Sequence, residues 1–500
     1  MAHRDLREFL EFLDKKDHLL RIKTEVNWDE ELGTIAEQAI MNGEKALLFE
    51  NIKDHTNTKG RRVAMGHWVT SRRTALALGL EENTSNLEML NIWRERVKSP
   101  IKPIAVSTGP CKDVILKGDD VNLFEFPAPK LHRKDGGRYF LTCHADITTD
   151  PDTGWLNLGI YRGMILSKNT IGRLLVPTQH WGIHSRKYHA MGRPMPIACA
   201  LGLDPVIQMV ACTPFPVGVN EFDMAGALRG EPVEVVKCET SDLYVPAHAE
   251  IVLEGEISMD PNTFQKEGPF GEYPGHYTTL WSEPRPVMKV NCITYRSDPI
   301  FTSSTVGLAS VDPHGSEVVV SLGTAAEVWN QLEAYGVQGI TGVWGDPGVS
   351  GWTNICVSIK KLYYGHAKQV AAALWGAGLS MGVGKFLVVV DSDVDVTNLR
   401  LINAAIANRV QGQKDVVVFP GTFGGPLDPG NSPEIKHMTG GIGNWDRVLI
   451  DATWPFEWEA REEWGGLRHP PECRAEPDMV EKVLKRWREY GFATRGDCFS

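Results

Sequence analysis

Tyr139-Phe-Leu-Thr-Cys-His-Ala-Asp-Ile147 opens a set of short apolar runs that fill the middle of the chain. Ile197–Leu201, Glu250–Ile257 and Val287–Tyr295 repeat its texture, each bounded by turns rich in Pro, Gly and Asp. Apolar runs of this length between turn residues predict a β-dominated domain, a barrel or a sandwich, over about residues 120–305.

On either side the periodicity changes. Leu6, Phe9, Leu10 and Leu13 recur at helical spacing, and His18–Val26, Lys45–Ile52 and Arg61–Val69 read as strands around a helix from Asp29 to Ile40. Two further helices lead to a Pro-punctuated link from Ser99-Pro100 to Pro110. Beyond residue 310, helices are predicted at Ala325–Tyr335, His366–Leu374 and Asn398–Val410, alternating with strands at Phe386–Val390 and Val416–Phe419. A looser Gly- and Pro-rich region follows at 420–445. The tail carries an amphipathic helix with Val480, Val483, Leu484 and Trp487 on one face and a Glu481–Lys485 pair, and such a face calls for a packing partner, for which a second subunit is a candidate.

Composition narrows the function classes. The chain has 500 residues with a net charge of −11, 42% hydrophobic and 23% charged residues, so it is a multidomain globular protein rather than a disordered one. An acidic balance with no long basic run argues against a nucleic-acid partner. No stretch approaches the roughly 18 uninterrupted apolar residues of a membrane span. Nine cysteines without a CxxC pair, and a polar N-terminus without a secretory pattern, lead us to expect reduced thiols and a cytoplasmic location.

Local motifs are individually ambiguous. Gly441-Ile-Gly443 starts like a dinucleotide fingerprint but lacks the third glycine, and Gly384-Lys385 is followed by Phe386, so it is no phosphate-binding loop of the Walker type. His180 and His184 have the spacing of two metal ligands on one helix face, although Pro177 and Gly182 argue against a long helix there; the alternative is hydrogen-bonding or surface histidines. Glu267-Gly-Pro-Phe-Gly-Glu272-Tyr-Pro-Gly275 holds two carboxylates in a stiff turn, suited either to acid–base work or simply to a solvated hairpin. Asn157-Leu-Gly-Ile-Tyr-Arg162 would need a bulge or turn to aim both end residues at one site. Asp391-Ser-Asp393-Val-Asp395 lacks the glycine and distal glutamate of a calcium loop, so capping of the Asn398 helix is the expected role.

Taken together, these motifs resemble one family, the UbiD-like reversible decarboxylases that use prenylated FMN. The resemblance spans nearly the whole chain. It rests on Lys134-Asp-Gly-Gly-Arg-Tyr139, Asn157 to Arg162, Gln179-His180, Glu221 with Ala225-Gly-Ala-Leu-Arg-Gly230, Glu267 to Glu272, Val390 to Asp395 with Arg409, and Asp451-Ala-Thr453, in this order and spacing. It implies an α/β fold with a central β domain: an N-terminal α/β domain (1–115), a split β-barrel that binds prenylated FMN (116–308), a C-terminal α/β domain (309–455) and a helical tail for oligomer contacts (456–500).

The resemblance also implies roles. Arg162, Glu267 and Glu272 match the family's catalytic trio, with Glu272 as proton donor and the Arg162–Glu267 pair orienting the substrate carboxylate. Asn157, His180 and Glu221 match the ligands of a divalent ion, Mn2+ or Mg2+, shared with the cofactor phosphate. A K+ site would reuse Glu221 with carbonyls of Trp155–Leu158 and Ala211–Thr213, and Arg409 nearby. Cofactor contacts would fall on Asn157, Gly159, Ile160, Tyr161, Arg162, Gln179, His180, Cys212, Pro214, Glu221 and Lys385, the last being the closest cation after Leu379-Ser-Met-Gly-Val-Gly384, where some relatives carry a basic residue. Tyr273 and the Pro426-Leu427 loop are expected to help line the pocket. The implied substrate is an aromatic, heteroaromatic or α,β-unsaturated acid, the implied partner a flavin prenyltransferase that supplies the cofactor, and the implied assembly a homodimer or homohexamer. Two other readings stand beside it: a subunit of a multi-component aryl carboxylase, against which the intact trio speaks, and a flavin-free metal-dependent hydrolase built on His180, Glu221 and Asn157.

Overall fold

The computed structural model describes the chain except for residues 1–2, 278–281, 305, 308–316, 350, 378–381, 426, 439–442, 472, 474 and 493–500. Leu379-Ser-Met381, Pro426 and Gly441-Ile442, which enter the sequence expectations, lie outside the described residues. The chain divides into two compact units, Met1–Thr453 and Trp454–Ser500.

The larger unit begins with a helix, Leu6–Lys15, capped by the Asp5 side chain and burying Leu6, Phe9, Leu10 and Leu13, the four residues that share its apolar face. A four-stranded sheet follows, in the order Leu19–Ile22, Ala46–Phe49, Arg62–Met65 and Ile300–Thr302. Its last strand returns from the far end of the central region and pairs parallel with Arg62–Met65, stitching the two regions together.

The central apolar runs build one nine-stranded sheet. Its path is Tyr139–Leu141, Gly163–Ser167, Thr170–Arg173, Val287–Tyr295, Ile251–Ile257, Met195–Leu201, His144–Thr149 and Leu156–Gly159, with Val114–Lys117 also pairing with Val287–Tyr295. Every pair is antiparallel; some partners are joined by short turns, as in Gly163–Ser167 with Thr170–Arg173, and others, such as Thr170–Arg173 with Val287–Tyr295, are brought together by long connections. Register shifts at Thr170/Ile171, Glu254/Gly255 and Tyr139/Leu141 add bends that curl the sheet into a half-barrel. The path does not close: its two end strands, Tyr139–Leu141 and Leu156–Gly159, are not paired with each other. The β domain is thus a split barrel, as the resemblance implied.

The C-terminal α/β part has five strands in the order Ile340–Gly345, Asn354–Ile359, Phe386–Asp391, Asn444–Ala452 and Val416–Phe423. The three central strands run parallel, and Phe386–Asp391 reads as a continuous apolar run because it lies between two neighbours. A long helix, Glu317–Ala334, leads into this sheet. It starts eight residues before the expected Ala325, because the run Val318-Val-Val320 is β-branched and reads as poor helix by propensity; its burial against neighbouring helices overrides that preference. The region expected to be loose is partly ordered strand: Val416–Phe423 runs past residue 420, and Asn444 already belongs to the next strand.

The smaller unit carries the predicted tail helix, Pro477–Lys485, with the Glu481–Lys485 pair at 2.6 Å and no buried residue. Among the described residues no helix is long and apolar enough to cross a membrane.

Candidate active site

The turn Ile160-Tyr161-Arg162 leaves the sheet's last strand, Leu156–Gly159, and enters Gly163–Ser167, which lies beside the opposite end strand. Three residues therefore bridge the mouth of the half-barrel. This is the turn that lets Asn157 and Arg162 line one cavity, of about 220 Å³. Gly159 is needed there: a Cβ at this position would meet the Tyr161 ring and hydroxyl at 2.6–2.9 Å. Tyr161 stacks face to face on Trp181, with ring centroids 4.1 Å apart, and its carbonyl accepts a 2.8 Å bond from Arg173. Arg173 in turn forms a wholly buried ion pair with Asp146, which also meets His144 at 3.0 Å. The Asp146–Arg173 strut fixes the turn from behind.

Arg162 is held on three sides. Its Nε and Nη2 donate to Glu267 at 3.1 and 2.8 Å as a bidentate fork, and Nη1 donates to Glu272. Tyr139 donates its hydroxyl to Glu267 at 2.9 Å. Phe270 lies under the guanidinium, 5.4 Å from the ring centroid. Glu267 and Glu272 are both buried. The loop between them is stiff for identifiable reasons. Gly268 adopts φ +85°, Asp135 accepts from Gly271 N at 3.0 Å, and Glu272 exchanges backbone bonds with Gly275 and His276. The two glutamates are thus not solvated hairpin residues.

Burial raises the Glu272 carboxyl above the usual carboxylate range, against the opposing pull of Arg162. Burial works equally against the charge on Arg162, but Glu272 and Glu267 beside it hold the guanidinium more firmly protonated than usual. The arrangement keeps one cation fixed, one carboxylate tied to it, and one carboxyl able to carry a proton.

A second polar cluster lines the same cavity. His180 begins the helix His180–Ala190, and Glu221 begins Glu221–Arg229, so both side chains sit at helix starts. His180 Nδ1 lies 3.2 Å from Asn157 Oδ1 and 3.6 Å from Glu221 Oε1, while Leu158 N donates to the other Glu221 oxygen at 3.1 Å. Asn157 Nδ2 and His180 Nε2 are buried without a partner. Both residues line the cavity, so a ligand bound there would satisfy these atoms. Among the described residues no group of three or more His, Cys, Asp or Glu is placed to hold a metal. One amide oxygen, one imidazole and one carboxylate therefore fit a hard or borderline cation only where further oxygens, such as those of a phosphate, complete its shell.

The structure places Gly159, Ile160, Tyr161, Gln179, Cys212 and Pro214 on the wall of this cavity, with Ala211 and Thr213 beside Cys212. Tyr273 and Leu427 are there too. Other expectations need correction. The helix that Pro177 and Gly182 argued against does form, because Pro177 precedes the Gln179 cap, and Gly182 lets the helix approach Val176 O, which a Cβ would meet at 2.2 Å. His184 turns away to Thr148 Oγ1 at 2.9 Å, and burial lowers its pKa to about 4. Lys385 is not on this wall: its ammonium bonds Asp428 at 2.7 Å in an adjoining cavity. Arg409 is also absent from it, since Asp391 and Asp393 hold its guanidinium at 3.1 and 2.8 Å beyond the C-terminal end of the strand Phe386–Asp391. Those aspartates do not cap the next helix; Asn398 does so itself. Sequence reasoning missed Trp352 on the cavity wall, and Asp146 and Arg173 behind it. The one available signal was a charged residue inside the apolar run 139–147.

Comparison with known proteins adds independent findings. Three family models match in series: the 3-octaprenyl-4-hydroxybenzoate carboxy-lyase N-terminal domain at residues 10–93, its Rift-related domain at 102–309 and its C-terminal domain at 317–452. The pyrrole-2-carboxylic acid decarboxylase of Pseudomonas aeruginosa is 32% identical over 98% of each chain. A phenolic acid decarboxylase of Sedimentibacter hydroxybenzoicus is 32% identical over 97% of this chain and 98% of its own. Among solved structures, the vanillic acid decarboxylase of S. hydroxybenzoicus in its closed form aligns with a TM-score of 0.85, at 30% identity, over 99% of this chain and 100% of that one. The UbiD-class enzyme HmfF of Pelotomaculum thermopropionicum, in an evolved dimeric form in complex with prenylated FMN, aligns with a TM-score of 0.76, at 28% identity, over 96% and 98%.

Proposed function

The chain belongs to the UbiD family and is a carboxy-lyase, and from that premise we propose that it catalyses the non-oxidative, reversible decarboxylation of an aromatic, heteroaromatic or α,β-unsaturated acid with prenylated FMN. Membership sets aside the flavin-free hydrolase. The observation that carries the proposal is the buried Arg162, shared between Glu267 and Glu272 on the wall that also bears the orphaned atoms of Asn157 and His180.

Asn157, His180 and Glu221 would hold Mn2+ or Mg2+ against the cofactor phosphate, and Glu221 with carbonyls of 155–158 and 211–213 would hold K+. Bound there, prenylated FMN supplies the electron sink that cleavage of an aryl or vinyl carbon–carboxylate bond otherwise lacks. The residues of this chain do the rest. Arg162 attracts and orients the substrate carboxylate, and Glu267 with Tyr139 keeps the guanidinium aimed. An incoming carboxylate competes with Glu272 for Arg162 Nη1. Relieved of that bond, the buried Glu272 takes up a proton, since burial alone favours its neutral form. When the carbon–carbon bond breaks and CO2 departs, Glu272 gives this proton to the carbon that held the carboxylate. Glu272 returns to Arg162 as the product leaves.

A flavin prenyltransferase is the implied source of the cofactor. The test is reconstitution with prenylated FMN and incubation with a panel of aryl and acrylic acids, following CO2 release and deuterium uptake from heavy water together. Equimolar CO2 and one deuterium at the former carboxylate carbon are expected for at least one acid. No CO2 from any acid by fully loaded enzyme would contradict the proposal.

A further inference from the structure

A second cavity, of about 480 Å³, adjoins the first. The two share Val176, Gln179, Tyr273 and Trp352. Tyr273 follows Glu272 directly, and its ring meets the Trp352 indole edge-on, with centroids 4.9 Å apart at 88°. These two rings form the threshold between the cavities.

Beyond the threshold the lining is mostly apolar. Trp445 is buried, while Val349, Phe386 and Phe423 stay 40%, 42% and 38% exposed around the rim. Large apolar side chains gathered round a cavity and left in water mark a surface that something covers. Of its polar groups, Lys385 Nζ and Trp445 Nε1 both donate to Asp428 Oδ2, at 2.7 and 2.6 Å, while Thr178, His276 and Asn354 also line the wall. The chamber offers an occupant a wall that is apolar over most of its area, with a few polar groups set into it. Relatives named for pyrrole-2-carboxylate and phenolic acids act, by those names, on single rings.

We infer that this chamber seats an apolar, ring-sized substituent carried by the substrate acid remote from its carboxylate, with Tyr273 and Trp352 as the specificity-determining threshold. The inference rests on the decarboxylase reading above, which fixes the carboxylate at Arg162. Two connected cavities then accommodate one elongated acid, its reacting end in the first and its far ring in the second.

The test compares kcat/KM of the loaded enzyme for a single-ring aryl acid and for its phenyl-bearing counterparts, substituted at each ring position in turn. At least one biaryl acid should be preferred by ~10-fold or more, the effect of a filled apolar pocket. Val349→Trp, which fills the chamber from its rim, should raise KM for that biaryl acid by ~10-fold and leave the single-ring acid within ~2-fold. Flavin content and thermal unfolding of the variant serve as controls. Phe423→Ala, which enlarges the chamber, should shift preference toward bulkier substituents and provides the answer if Val349→Trp fails to fold. A wild type indifferent to the second ring, or variants that change both substrates equally, would overturn the inference while leaving the decarboxylase reading intact. Loss of all turnover in wild type would overturn that reading and this one with it.

Discussion

Arg162 shows how one side chain organises a site. Its side chain is 9% exposed and faces two buried carboxylates, so removing it strands both charges. Arg162→Ala should abolish turnover and cost about 3–5 kcal/mol of stability, the usual penalty for breaking a buried pair, readable as a lowered unfolding midpoint. Tyr139→Phe removes one bond to Glu267 and should cost only about 1 kcal/mol, with kcat/KM reduced and flavin content unchanged. Glu272 also sets a pH dependence. In the proposed mechanism its proton is in place when CO2 leaves, and burial raises its pKa, so activity should fall as pH rises through that raised value. A profile rising steadily across neutral pH would contradict this assignment. The two glutamates were legible as a candidate pair, because a five-residue spacing in a Pro-Gly turn is a local pattern, while Arg162 joined them only through the family resemblance. The shared guanidinium was not legible, since it needs residues 105 apart in the chain to fold together.

At the scale of elements, the decisive piece is the turn at 160–162. Strand alternation predicts that Asn157 and Arg162 point apart, and nothing in the local sequence says that the strand ends at Gly159 and spans an open barrel mouth. That is a property of the sheet order, which antiparallel runs do not declare. The turn's support was hidden for the same reason. Arg173→Met should leave the buried Asp146 carboxylate with only His144 beside it, cost about 3–5 kcal/mol and loosen flavin retention, because the Tyr161 carbonyl loses its donor. Unfolding midpoint and bound-flavin absorbance check the two effects separately. Asp5 and Asn398 occupy cap positions as their side chains prefer, although neither was read as a cap from the sequence. The aspartates before Asn398 misled, since an acidic cluster near a helix start resembles a cap until Arg409 is seen to fold back on it.

For the whole molecule, the net charge of −11 describes the surface and not the site. Arg162 is the only Lys or Arg on the wall of the first cavity among the described residues. The cationic character needed for a phosphate falls to the metal ions proposed there. Buried titratable groups also shape stability. Burial lowers His67 to about 3 and His55 to about 4, so the unfolded chain binds more protons below pH ~6.5, and stability falls on acidification from there. Burial raises Glu327 to about 8, so the folded chain holds an extra proton above the unfolded carboxyl's pKa of ~4.3, and this group loses stability as pH rises toward 8. Unfolding midpoints should therefore decline on both sides of about pH 6.5, and Glu327→Gln should flatten the alkaline side while steepening the acid side between about pH 4.3 and 6.5. An unchanged alkaline limb in that variant would refute the assignment. The three-part order of α/β, β and α/β was legible from texture, whereas the second chamber was not, because its walls come from segments between residues 176 and 445.

The central claim is that Glu272 delivers the proton which replaces CO2. It is tested most directly by running flavin-loaded wild type and Glu272→Gln in heavy water with one turned-over acid, and measuring deuterium at the former carboxylate carbon by mass spectrometry. One deuterium per CO2 is expected for wild type, and no deuterated product from a variant that still retains flavin. Wild-type rates of deuterated product from Glu272→Gln would contradict it.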